Sequence, residues 1–179
     1  MSVHNGVQVL GITGYKLSGK DTFCAALQLR FQKVVRLAIA DEIKRELAKF
    51  LGITTGTIET FKEPHYRRPL QDLGSARRRI DENYWMTRAC EQITHALECD
   101  ARVVVPDVRL PIEAERLRNQ FGAKIIRLHR VTQGPVDNHE TERRVDDIVA
   151  DETFTCGSPE HVRNMAYSYG KSWLGREKL

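Results

Sequence analysis

Short apolar runs alternate along this chain with longer stretches in which apolar residues recur every three or four positions. That is the pattern of a parallel sheet with helices on both faces. Residues 7–13 (VQVLGIT) read as a first strand running into a glycine-containing loop, and a helix is expected from about Lys20 to Phe31. Residues 34–40 (VVRLAIA) read as a second strand. Asp41 is placed to cap the next helix, whose apolar face is Ile43, Leu47, Phe50 and Leu51 and whose end is Gly52. Residues 54–64 read as loop. Helices are expected over about 66–79, with Pro69 in the first turn, and over about 84–98, where Met86, Ala89, Ile93 and Leu97 recur at helical spacing. Residues 102–106 (RVVVP) read as a buried strand, 111–121 as a helix closed by Gly122, and 123–128 as another strand. Residues 131–147 are polar, charged and without clear period. A short strand near 153–156 and a helix opened by Ser158, Pro159 and Glu160 complete the pattern.

No repeat or linker interrupts this order, so one domain is expected over residues 1–179. Hydrophobic residues make up 41% and charged residues 29%, the balance of a globular protein. No apolar run approaches the roughly 20 residues of a membrane span. The first six residues lack the basic start and apolar segment of a signal peptide, so a cytoplasmic location is expected. Cys24, Cys90, Cys99 and Cys156 are scattered without metal-ligand spacing and read as reduced thiols in packing sites. The formal charge of +4 is mild, and the two arginine clusters, at 67–68 and 77–79, are too short to imply stable nucleic-acid binding.

The chemistry concentrates at residues 14–22 (GYKLSGKDT), which match G-x-x-x-x-G-K between a strand and a helix. Glycines let the backbone curl so that N–H groups converge, and the helix N-terminus adds partial positive charge, giving a phosphate cradle. Gly14, Lys16, Ser18, Gly19, Lys20, Asp21 and Thr22 are the candidate phosphate-binding residues, with Lys20 reaching the β- and γ-phosphates of ATP. Asp21 stands where Ser or Thr is usual; its carboxylate either serves Mg²⁺ or complements the helix end. Asp107, just past a buried strand, is where an α/β sheet presents groups to its ligand and is the second metal candidate. Arg109 follows in the same cleft and suits an acceptor phosphate.

Several segments, in order, resemble the bacteriophage-type deoxynucleoside monophosphate kinases. Residues 14–22 are similar to that family's G-K-D-T loop, 67–75 (RRPLQDLGS) to its R-R-x-x-Q-x-L-G-T, and 81–85 (DENYW) to its D-x-x-Y-W. Residues 105–109 (VPDVR), with Glu113 after them, match its V-P-D-x-R, and 139–142 (HETE) its H-x-[ST]-E. Pro69, Tyr15 and Cys156 are departures from the family pattern. The resemblance implies an α/β P-loop kinase fold with a five-stranded parallel sheet flanked by helices, the strand before Asp107 lying beside the P-loop strand. It also implies ATP as co-substrate, Mg²⁺, and a deoxynucleoside monophosphate as the other small-molecule partner; a homodimer is compatible with it.

An acceptor site is expected from Arg68, Gln71 and Arg79, which fall on one helical face, together with Arg109. Tyr84 and Trp85 offer rings for a base, although Trp85 serves core packing equally well. Residues 131–147 are expected to form a lid that excludes water, with Arg143 and Arg144 as catalytic cations beside Lys20, Asp107 and Arg109. His139 and Glu142 are expected near the acceptor. The rival readings are a phosphomevalonate-type kinase, a nucleotide-binding regulator without transfer, and a kinase acting on a modified base in DNA.

Overall fold

The structure, a computed structural model, describes residues 6–130 and 144–174. It contains a five-stranded, all-parallel sheet in the order β2-β3-β1-β4-β5: β1 is Val9–Thr13, β2 Val34–Arg36, β3 Arg102–Val105, β4 Lys124–His129 and β5 Glu152–Thr155. Seven α-helices lie among the described residues: α1 Lys20–Arg30, α2 Ile39–Leu51, α3 Thr55–Thr60, α4 Arg67–Ile80, α5 Tyr84–Glu98, α6 Pro111–Phe121 and α7 Pro159–Leu174. None is long and apolar enough to cross a membrane. The expected fold class is the one observed, and β3 pairs with β1 as expected, Gly11 in register with Val105.

The chain divides into two compact units. One comprises the sheet with α1, α6 and α7, from residues up to Arg36 and from His95 onward; the other is helical and spans Leu37–Thr94. In the sheet unit, every residue of β1 is buried, which is why its sequence is continuous rather than alternating. One face of the sheet carries Leu10, Ile12, Val104, Ile126 and Leu128, packed with Phe23 and Leu27 of α1 and Val162 and Ala166 of α7. The helices meet closely: a Cβ on Gly170 would lie 2.3 Å from the Phe31 ring. On the other face, a Cβ on Gly11 would lie 2.5 Å from the Ile125 side chain of β4, while Leu117 of α6 would stand at ordinary contact, 3.4 Å.

Several element boundaries differ from expectation, for local reasons. The second strand stops at Arg36, and residues 39–40 belong to α2. Asp41 is not the cap: Ala38 is, and Asp41, in the first turn, accepts the Ala38 N–H at 3.4 Å. Ile43 and Leu47 are buried as expected, but Phe50 is 84% exposed and Leu51 is also exposed, because the last turn of α2 is left uncovered. Residues 54–64 are not loop. Thr54 accepts the Thr57 N–H at 3.1 Å and opens α3, whose one buried side chain, Ile58, leaves no period to read. A single π-helical turn, Lys62–Tyr66, then leads into α4. Cys24, Cys90 and Cys156 are buried, whereas Cys99 is exposed rather than in a packing site.

Candidate active site

The loop of residues 14–19 is shaped by three positive φ angles: 137° at Gly14, 67° at Leu17 and 100° at Gly19. Alternating handedness of this kind turns successive N–H groups toward one centre, an anion-binding nest. Gly14 admits no side chain, since a Cβ would lie 2.3 Å from the Leu128 carbonyl oxygen. Leu17 takes the left-handed conformation without glycine's freedom, at a cost of about 1–2 kcal/mol, and its side chain is 64% exposed. The Ser18 N–H donates to the Tyr15 carbonyl at 3.2 Å and closes the curl.

Lys20, the first residue of α1, is only 8% exposed. Its ammonium donates to the Gly14 and Tyr15 carbonyls, each at 2.6 Å, and lies 3.4 Å from the Ser18 hydroxyl. The loop thus holds its principal cation at its own mouth, in low-dielectric surroundings where the charge acts strongly. Ser18 is buried, Lys16 and Thr22 are half-buried, and Asp21 is exposed in the first turn of α1.

Register places the acidic candidate beside this loop. β3 runs parallel to β1 and ends at Val105, two residues before the half-buried Asp107, and the Val108 N–H donates to Ile12 at 3.2 Å. Glu113, buried, accepts the N–H groups of Arg109 at 2.8 Å and Leu110 at 3.0 Å, so its carboxylate fixes the turn that carries Arg109. The thiol of Cys24 registers the charges gathered here. Burial pushes it up to about 12; Arg36 opposes the rise, and Asp21 and Asp107 add to it. Cys24 is a buried packing thiol, and Arg36 at the end of β2 is a cation at this sheet edge that the sequence reading missed. Arg130 was missed too: just past β4, its guanidinium donates to the carbonyls of Leu17 at 3.5 Å and Gly157 at 3.2 Å, tying the loop to the segment after β5. The signal for both was only their place at the carboxyl ends of strands.

No group of three or more His, Cys, Asp or Glu gathers among the described residues. Mg²⁺ in a nucleotide enzyme needs one or two carboxylates, the substrate phosphates supplying other ligands, and the carboxylates beside this loop are Asp21 in the first turn of α1 and Asp107 past the end of β3.

In the helical unit, Arg68, Gln71 and Arg79 share one face of α4, with Arg68 90% exposed at its side chain and 3.9 Å from Asp72, Gln71 half-buried and Arg79 exposed. The aromatic pair does not form an open platform. Trp85 is 1% exposed, its indole N–H donates to the Gly74 carbonyl at 3.0 Å, and its ring meets Tyr84 edge-on at 4.8 Å. Trp85 is a packing residue here rather than a surface for a base. Tyr84 donates to Glu46 at 2.7 Å, and the Arg77 and Arg88 guanidiniums lie 5.0 and 4.9 Å from its ring centre. Arg77 also donates to Glu46 at 2.7 Å. Burial would raise the Glu46 carboxyl, but the bonds from Tyr84 and Arg77 prevail and hold it below the usual range. His139, Glu142 and Arg143 lie outside the described residues; Arg144 is exposed, 3.6 Å from Asp147.

A family model described as deoxynucleotide monophosphate kinase matches residues 48–153, more than half of the chain. The chain belongs to that family. The matched span of this deoxynucleotide monophosphate kinase family member includes the α4 arginines, Asp107 and Arg109, while the loop of residues 14–22 precedes it. Dephospho-CoA kinase from Campylobacter jejuni has a similar fold, with a TM-score of 0.50, 15% identity and coverage of 92% of this chain and 96% of that one. Shikimate kinase from Acinetobacter baumannii aligns over 97% of this chain and 96% of its own at 15% identity and a TM-score of 0.48. The fold is that of P-loop kinases. A curated relative, the uncharacterized protein ORF77 of Ictalurid herpesvirus 1 (strain Auburn), is 28% identical over 144 residues, 77% of this chain. The match spans 59% of that relative's length.

Proposed function

We propose that this chain transfers the γ-phosphate of ATP to a deoxynucleoside monophosphate, releasing ADP and the deoxynucleoside diphosphate. The observation that carries the reading is Lys20, buried at the head of α1 with its ammonium on the carbonyls of a positive-φ loop, in a chain of this family. A phosphate oxygen of the acceptor forms the new P–O bond while the bond from the γ-phosphorus to the β,γ-bridging oxygen breaks. The acceptor is already anionic, so no general base is required. The protein's part is placement and charge stabilisation. Loop N–H groups hold the donor phosphates, Lys20 stabilises charge as the leaving oxygen departs, and Asp107 with Asp21 would hold Mg²⁺, which neutralises phosphate charge. Arg109 in the sheet unit, and Arg68, Gln71 and Arg79 on one face of α4 in the helical unit, are each proposed as acceptor-binding residues; Tyr84, whose hydroxyl donates to Glu46 and whose ring meets Arg77 and Arg88, is proposed with the α4 residues. Arg143 and Arg144, with His139 and Glu142, are proposed to act from the segment after β4.

The test is a panel. Purified protein with ATP and Mg²⁺ should phosphorylate at least one deoxynucleoside monophosphate and neither phosphomevalonate nor unphosphorylated nucleosides. The ground is that a nucleoside lacking its 5′-phosphate leaves Arg109 without the anion proposed to bind there, so the acceptor forfeits the interaction that places it. Turnover of phosphomevalonate with silence across the nucleotides would overturn the acceptor, and tight ATP binding without any transfer would favour a regulator. A second expectation concerns the division of labour. Arg109→Ala should raise the KM for the acceptor by about 10- to 100-fold, the loss of a charge-assisted pair, while the KM for ATP moves less than threefold. A larger change in the ATP constant would move Arg109 to the donor site.

A further inference from the structure

Tyr15 departs from the family pattern and Asp146 carries no motif, yet their side chains are joined: the Tyr15 hydroxyl donates to the Asp146 carboxylate. We propose that Tyr15 and Asp146, seated by Arg127, are positioning residues that hold the phosphate loop in its ATP-binding form. This inference rests on the reading of that loop as the ATP site.

Tyr15 is bound at both ends. Its backbone carbonyl accepts from the Ser18 N–H at 3.2 Å and from the Lys20 ammonium at 2.6 Å, so the residue that aims Lys20 is the residue tethered to Asp146. Asp146 is itself fixed, because it belongs to a single helical turn, Arg144–Asp147, docked on Arg127. The Arg127 guanidinium donates to the carbonyls of Val145 at 3.1 Å and Ile148 at 2.5 Å, and it lies 4.0 Å from the Asp146 carboxylate. Arg127 stands on β4 in register with Thr13, the last residue of β1 before Gly14. Loop, turn and two neighbouring strands thereby form a closed frame within one unit: Thr13 leads to Tyr15, Tyr15 to Asp146, Asp146 to Arg127, and Arg127 back to Thr13.

The loop needs such a hold. Leu17 sits at φ 67° with its side chain exposed, and strained backbone of this kind persists only where its surroundings over-determine it. Gly14 and Gly19 absorb their turns without strain, so the leucine is where an untethered loop relaxes first. Freed of the tether, the loop populates forms in which the Tyr15 carbonyl no longer aims Lys20. The apparent dissociation constant then rises as the competent fraction falls, about tenfold if one molecule in ten remains competent.

The experiment titrates ATP with Mg²⁺ calorimetrically into the full chain and into Tyr15→Phe, Asp146→Asn and the double variant, with melting curves and acceptor KM values alongside. Each single substitution should weaken ATP about tenfold, the double variant should be no more than about twofold weaker than either, and the acceptor KM should stay within twofold. That non-additivity is the mark of two residues acting through one bond. Unchanged ATP affinity in the single variants, whether or not melting falls, would reduce the bond to packing and overturn the proposal, as would losses that multiply in the double variant. A wild-type chain that binds no ATP would overturn the donor-site reading, and the proposal with it.

Discussion

Lys20→Ala is expected to lower phosphoryl transfer by about a thousandfold, the scale of removing a principal preorganised charge from the transition state. The side chain is the buried cation bonded to the Gly14 and Tyr15 carbonyls, a placement the half-buried Lys16 does not share. The same bonds mean that the substitution is not silent for stability. Two carbonyls lose a charged donor, which costs about 1.5–3 kcal/mol where water does not replace it. For a chain of this size that lowers the melting midpoint by about 3–12 °C. ADP production coupled to a deoxynucleoside monophosphate, measured well below the new midpoint, separates the two effects. Activity within a few-fold of wild type in a folded protein would remove the loop from the mechanism.

What was legible in the sequence was whatever chain-local chemistry dictates. The G-x-x-x-x-G-K spacing placed Lys20 at the head of α1, and the apolar run before Asp107 placed that carboxylate at a strand end, because phosphate loops and buried parallel strands each need a characteristic residue order. Gly52 and Gly122 ended helices at φ 65° and 59°, conformations that glycine adopts without strain. Other features depend on partners distant in sequence and leave no local trace. The Tyr15–Asp146 bond and the Arg127 seat need β1 and β4 to be neighbours with Thr13 opposite Arg127, which no periodicity reveals. Arg36 and Arg130 belong to no motif, and only the strand order puts both at the carboxyl edge of the sheet. The opposite error arose at α3, where a threonine cap and one buried isoleucine suffice for a helix too short to show a period.

Trp85 carries the largest expected stability effect. Helical spacing left its ring equally suited to a base and to the core, and its surroundings decide for the core: 1% exposure, an N–H···O bond to Gly74 at 3.0 Å, and an edge-on contact with Tyr84. Glycine at 74 serves a different neighbour, since a Cβ there would lie 3.3 Å from Ile43 of α2. Trp85→Ala should therefore destabilise the protein by about 3–5 kcal/mol, through the lost ring, the cavity left behind and the orphaned Gly74 carbonyl. Trp85→Phe keeps most of the volume and should lose about 1–3 kcal/mol, chiefly through that carbonyl. Denaturant unfolding monitored by far-ultraviolet circular dichroism measures both losses without relying on the fluorescence of the residue removed. The discriminating observation is kinetic. If the ring only packs, folded Trp85→Phe retains an acceptor KM within about twofold of wild type, because the face of α4 that bears Arg68, Gln71 and Arg79 remains in place. A rise of tenfold or more in that KM, with stability lowered by less than about 1 kcal/mol, would instead put the indole against the acceptor's base, since lost base–aromatic stacking is worth about 1–3 kcal/mol.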